Sequence, residues 1–286
     1  MKNLHAIFWM VITTILFAIV TGMVRHLGTD LPAPVAAFVR YVASTIFFLP
    51  LIFKMFVTQV QREKNKIHFA RGICHGLGVI GWFFAMATIP VSEVTVIGYM
   101  TPVFVTIAAF FFLGERLSKK LILALAVGFT GMFVIVNPSG TGIEMGQLTM
   151  VIATIFFAGS YILAKQLSSS NSIIEVLTGL NSIVTLVLAP FAIFFWQTPS
   201  LYETLWLSLV AFFATCGHYT MTLAFKLAPI SVTQPANYLQ LVWATLIGFI
   251  FFGELIDIWF VLGSTLIILS TAYILIFAKQ LPGKAN

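Results

Sequence analysis

The chain has 286 residues, of which 60% are hydrophobic and 8% charged, with 29 phenylalanines and a mean hydropathy of +1.04. This excludes an ordinary water-soluble domain, which keeps about a quarter of its residues charged to cover its surface. A net charge of +6 does not point to nucleic acid, because the basic residues fall in short gaps between apolar runs and not on one face or arm.

Read in chain order, apolar runs against polar or Pro/Gly breaks predict membrane spans near 4–24, 33–53, 68–89, 92–113 and 119–137. The first run is too long for a secretory leader and lacks a small-residue cleavage site, so it reads as helix 1. A second set follows near 147–166, 173–196, 203–226, 231–252 and 258–278. The fold class is therefore an all-α integral membrane protein of ten transmembrane helices. The breaks at Pro90 and Pro229 are weak in hydropathy, and charge supports them. With the N-terminus inside, cytoplasmic ends collect Lys2, Lys54, Arg62, Lys64, Lys66, Arg71, Arg116, Lys119, Lys120, Lys165, Lys226, Lys279 and Lys284, leaving out only Arg25 and Arg40. Asp30, Glu93, Glu144, Glu203, Glu254 and Asp257 fall on the other side. Both termini are accordingly expected to be cytoplasmic.

The chain repeats itself. At an offset of 139, Ala85 to Glu115 matches Ala224 to Glu254 at Ala85/Ala224, Pro90/Pro229, Ser92/Ser231, Tyr99/Tyr238, Val103/Val242, Thr106/Thr245, Phe110/Phe249, Phe112/Phe251, Gly114/Gly253 and Glu115/Glu254. At 140, Thr14 to Ala18 overlays Thr154 to Ala158, and Arg25 overlays Lys165. The units are residues 1–138 and 139–286. Five spans per unit is an odd number, so the second unit is expected to enter the membrane inverted. The turn after the shared Gly-Glu is basic in one copy (Arg116, Lys119, Lys120) and acidic in the other (Asp257). Inverted repeats are the usual architecture of alternating-access carriers.

Several residues carry candidate chemistry. Glu93, near a helix N-terminus, suits gating or proton coupling, or simply a favourable helix dipole. Arg40 sits about 10 Å into helix 2, where a charge faces a cavity, finds a partner or snorkels. His75 and His218 fall one helical turn apart in the repeat frame and suit proton relay or hydrogen-bonded packing. Tyr99, Tyr238, Asn237, Gln240 and Trp243 make the most polar and aromatic stretch, suited to an amphipathic solute or to packing. Pro102 and Pro235 mark kinks or hinges. Gly128 and Gly131 permit close helix approach, and Glu115 and Glu254 are read as capping the helix that follows each. Cys74 and Cys216 lie in apolar runs, so neither a disulfide framework nor a metal site is indicated.

The segments Pro90-Val-Ser-Glu93, Thr101-Pro102-Val-Phe104, Leu113-Gly114-Glu115-Arg116 and Gly128-Phe-Thr-Gly131 resemble the first module of the EamA-type drug/metabolite transporter superfamily. Pro235-Ala-Asn-Tyr238-Leu-Gln240-Leu-Val-Trp243-Ala244, Phe252-Gly253-Glu254 and Asp257-Ile-Trp259 resemble its second module. One departure is Leu241 where Pro102 stands in the first copy, which puts the symmetry of gating in question. The resemblance implies a ten-helix fold with a central cavity in the cytoplasmic (inner) membrane, and relatives associated with amino acids, nucleotide-like metabolites, vitamins and S-adenosylmethionine. The expected activity is secondary transport of a small amphipathic metabolite by alternating access, coupled to protons or a counter-substrate. No cofactor, catalytic group or nucleic acid is expected, the surroundings are lipid, and the assembly is a monomer or homodimer. Alternatives are a drug or cation exporter of the same fold, or a membrane enzyme or scaffold. Neither HExxH, GxSxG nor a P-loop is present to support an enzyme.

Overall fold

The computed structural model describes residues 2–27, 31–50, 62–89, 94, 97–136, 145–253 and 258–277. All regular structure among them is helical: α1 (Lys2–Leu27), α2 (Ala33–Phe47), α3 (Arg62–Thr88), α4 (Thr101–Leu113), α5 (Lys119–Val136), α6 (Met145–Ser170), α7 (Ile173–Phe194), α8 (Leu201–Leu227), α9 (Ile230–Asn237), α10 (Leu239–Phe252) and α11 (Ile258–Phe277). Among the described residues, six helical stretches are long and apolar enough to cross a membrane: Lys2–Leu27, Lys66–Met86, Met145–Ser170, Ile173–Phe194, Leu201–Leu227 and Ile230–Phe252. The outer surface carries large apolar side chains such as Phe111, Phe112, Phe194 and Phe251, each more than 70% exposed. In water such a surface would aggregate, whereas acyl chains solvate it. This is a multi-pass membrane protein.

The span expected over 231–252 is divided in two at Tyr238, giving α9 and α10. α7 continues past Pro190 without a break in the helix. α7 and α8 each begin on a capping box, Ser172 with Glu175 and Ser200 with Glu203, in which serine and carboxylate satisfy first-turn N–H groups reciprocally. α4 and α10 end on Gly114 and Gly253, whose φ angles of 63° and 67° lie in the left-handed region that closes a helix cheaply only for glycine.

Packing follows the repeat. α1 packs on α8 as α3 packs on α6; α2 on α8 mirrors α7 on α3; α1 on α9 and α10 mirrors α6 on α4; and α2–α7 and α5–α11 are pairs of equivalents. Single residues obey the same exchange. Phe17 fills the space above Gly217 and its counterpart Phe157 the space above Gly78. The equivalent Thr45 and Thr185 hydroxyls meet at 2.9 Å, and the equivalent Tyr99 and Tyr238 rings at 6.5 Å.

Two expectations need correction. Glu115 does not cap the helix that follows it. Its carboxylate accepts from Ile230 N (2.7 Å), Ser231 N (3.0 Å) and Ser231 Oγ (2.6 Å), so it caps α9 in the other half. Arg71 and Lys165, counted as boundary charges, are buried. Lys165 Nζ donates to the carbonyls of Phe225 and Ala228 at the end of α8, where a cation complements the helix dipole. Lys165 and Glu115 thereby clamp the α8–α9 joint from opposite electrostatic ends.

Candidate functional site

A polar chain crosses the bundle where α2, α3, α6 and α8 meet. His75 Nε2 lies 2.9 Å from the Tyr41 hydroxyl and His75 Nδ1 lies 3.3 Å from Ser160 Oγ. Either tautomer is satisfied, because a hydroxyl both donates and accepts. The His218 ring stands edge-on to His75 with centroids 5.4 Å apart, and edge-on to Phe17 at 5.1 Å. The one-turn stagger seen in the sequence is thus absorbed by the packing, and the two histidines meet. His218 Nδ1 is buried without a hydrogen-bond partner.

Two guanidiniums adjoin this chain. Arg40 stacks over the Tyr41 ring at 4.5 Å, a cation–π contact, and its buried Nε has no partner. Arg71 lies one turn before His75 on α3, is 1% exposed, donates from Nη1 to the Val176 carbonyl at 2.9 Å, and leaves Nε unpartnered. Sequence reading missed Arg71, Tyr41 and Ser160 as site residues. The available signal for Arg71 was its position inside the span predicted at 68–89, one helical turn from His75.

The other candidates form a second group around the α9–α10 break. Tyr238 is fully buried, its ring against Gly128 and its hydroxyl unpartnered. Asn237 Nδ2 donates to Gln234 Oε1 at 2.9 Å, and Gln234 Nε2 donates to the Ile230 carbonyl at 3.2 Å. Trp243 Nε1 donates to Thr14 Oγ1 at 3.1 Å, and Gln240 is half-buried in the first turn of α10. Pro235 is buried within α9 and Pro102 is buried in the first turn of α4. A proline donates no N–H to the turn before it; beside Pro102, the Gly98 carbonyl accepts from Thr101 Oγ1 at 2.6 Å instead. Both halves interrupt the helix at the equivalent tyrosine, Tyr99 or Tyr238, although their prolines are offset. Glu93 lies outside the described residues.

α1 joins the two groups. Thr14, which accepts from Trp243, and Phe17, which packs on His218, are three residues apart on one face. The hydrogen-bonding, cationic group therefore adjoins a packed apolar cluster that contains the aromatic rings of Trp9, Tyr99, Tyr161, Tyr238 and Trp243. Among the described residues no group of three or more His, Cys, Asp or Glu could hold a metal ion. Tyr41→Phe should leave His75 with an unsatisfied ring nitrogen and lower stability by about 1–2 kcal/mol, read as a lower melting temperature in detergent. An unchanged temperature would mean that His75 finds another partner.

Comparison with known proteins agrees with this architecture. The model of the EamA-like transporter family matches residues 4–137 and again residues 144–276. The S-adenosylmethionine uptake transporter of Rickettsia bellii is 28% identical over 262 residues, 92% of this chain and 90% of its own length. The riboflavin transporter of Rhizobium johnstonii is 27% identical over 93% of this chain and 89% of its own, and the pseudopaline exporter of Pseudomonas aeruginosa is 24% identical over 91% and 92%. A solved structure superimposes with a TM-score of 0.79, covering 96% of this chain and 98% of its own at 17% identity, a likeness of fold.

Proposed function

Because the chain belongs to the EamA-like transporter family, we propose that it is a secondary transporter carrying a small amphipathic metabolite across the bacterial cytoplasmic membrane by alternating access. Its moving parts are residues 1–138 and 139–286, each with five spans, in opposite orientation and with both termini cytoplasmic. The observation that carries this reading is the pair of helix breaks at Tyr99 and Tyr238, whose rings meet between the halves. Discontinuous helices at a repeat interface are where carriers of this architecture bind their solutes. Odd span number and the basic-to-acidic switch after the Gly-Glu turns support the inversion.

The site has one end rich in hydrogen-bonding groups and one aromatic wall, which favours a solute with a polar head and a planar or apolar body. S-adenosylmethionine has this form and gives several similar transporters their names, so it is the first solute to test. A purely cationic drug is disfavoured, because Arg40 and Arg71 would repel it. Purified protein in liposomes should take up labelled S-adenosylmethionine saturably, above empty liposomes, and unlabelled riboflavin or amino acids should compete if they share the site. Uptake of none of these solutes above background, with or without an imposed pH gradient, would refute the metabolite reading.

A further inference from the structure

We infer that Arg40 and Arg71 form an anion subsite that holds the carboxylate or phosphate of the transported solute beside the Tyr41–His75–His218 cluster. This rests on the transport reading above and names the chemical group recognised.

A guanidinium is never neutral in a protein, and taking one out of water without a counter-charge is costly. Arg71 is 1% exposed, yet no carboxylate among the described residues pairs with it or with Arg40. Arg71 donates to a backbone carbonyl, and Arg40 has the Tyr41 side chain, which it both stacks on and hydrogen-bonds. Neither partner carries a full negative charge. Arg40 lies over Tyr41, whose hydroxyl is 2.9 Å from His75 Nε2, and Arg71 lies one turn before His75, whose ring meets His218, so the two guanidiniums flank one region where α2, α3 and α8 meet.

Three buried nitrogens remain unpaired there: Arg40 Nε, Arg71 Nε and His218 Nδ1. An arginine used only as a structural anchor would be expected to have its donors filled, because each empty donor in a low-dielectric interior is costly. An incoming carboxylate or phosphate supplies the missing acceptors and the missing charge together, in the planar geometry that guanidinium donors match best. The adjoining wall of Tyr161 and Phe17, which packs with the aromatic cluster, then takes the apolar body of the solute.

The test uses matched solutes on full-length protein in detergent: L-methionine with L-methioninamide, L-tryptophan with L-tryptophanamide, and adenosine 5′-monophosphate with adenosine. Melting temperature is followed against concentration for wild type, Arg40→Gln, Arg71→Gln and Arg71→Lys, each first checked for cooperative unfolding. At least one anionic member should stabilise wild type, its neutral partner requiring about ten- to a hundredfold more for the same shift, the worth of a charge-assisted bond. Which anion prevails separates carboxylate from phosphate. Arg40→Gln and Arg71→Gln should abolish that preference, and Arg71→Lys should keep part of it. If Arg71→Gln does not fold, the half-buried Arg40→Gln carries the comparison. Equal response to both members of every pair, unchanged preference in Arg40→Gln, or no response to any of the six would overturn the subsite. The transport reading stands or falls separately on the liposome assay.

Discussion

Gly131→Leu should destabilise the protein by about 3 kcal/mol or more, enough to cost most of the folded yield. A Cβ at Gly131 would sit 2.6 Å from the Gly263 carbonyl oxygen, 2.9 Å from Leu266 Cβ and 3.0 Å from Ile267 Cγ1. The first of these is backbone, which has no rotamer to change. Membrane helices gain nothing from excluding water from one another, so their association depends on close van der Waals approach at small residues. α5 and α11 are such a pair, and Ser270 Oγ adds a 2.7 Å bond to the Ala124 carbonyl across them. Separating the helices to admit a leucine would loosen that whole interface. The measurements are melting temperature and monodispersity after extraction, with the lipid-facing Ile122→Leu as the neutral control. A Gly131→Leu protein melting with wild type would show that α5 and α11 are not packed this closely.

Glu115→Ala is expected to cost about 2–4 kcal/mol, since it removes the charged acceptor of three hydrogen bonds and leaves the first turn of α9 unsatisfied. Glu115→Gln should recover part of this, because its amide oxygen still accepts but carries no charge to complement the helix N-terminus. Glu203→Ala, at the exposed capping box of α8, should be much milder, because water can satisfy the first-turn donors that it uncovers. The contrast separates a cap within one helix from a tie between the two halves. Equal effects at Glu115 and Glu203 would remove Glu115 from that role. Because α9 leads directly into the Tyr238 break, Glu115→Ala should also slow liposome uptake more than its lost stability accounts for.

Much of this molecule was legible in the sequence. Hydropathy gave the membrane class and the six long apolar helices found among the described residues, because any stretch that must satisfy its backbone within lipid has to be both apolar and long. Gly114 and Gly253 marked helix ends because their conformation needs glycine. The offset of 139 paired Tyr99 with Tyr238, whose rings meet in the structure.

What only the tertiary structure decided is which residues meet. A hydropathy window reads one helix at a time, so it placed Arg71 and Lys165 at a boundary when packing buries them. The sequence located the Glu115 turn, yet its partner lies 115 residues away on α9. His75 and His218 differ by a turn in the repeat frame but are brought together where α3, α6 and α8 pack around them. Local sequence fixes a helix and its ends through short-range sterics and hydrogen bonds. The partner of a buried polar side chain is set by the rotation and depth of neighbouring helices, and these are determined by the packing of all of them together.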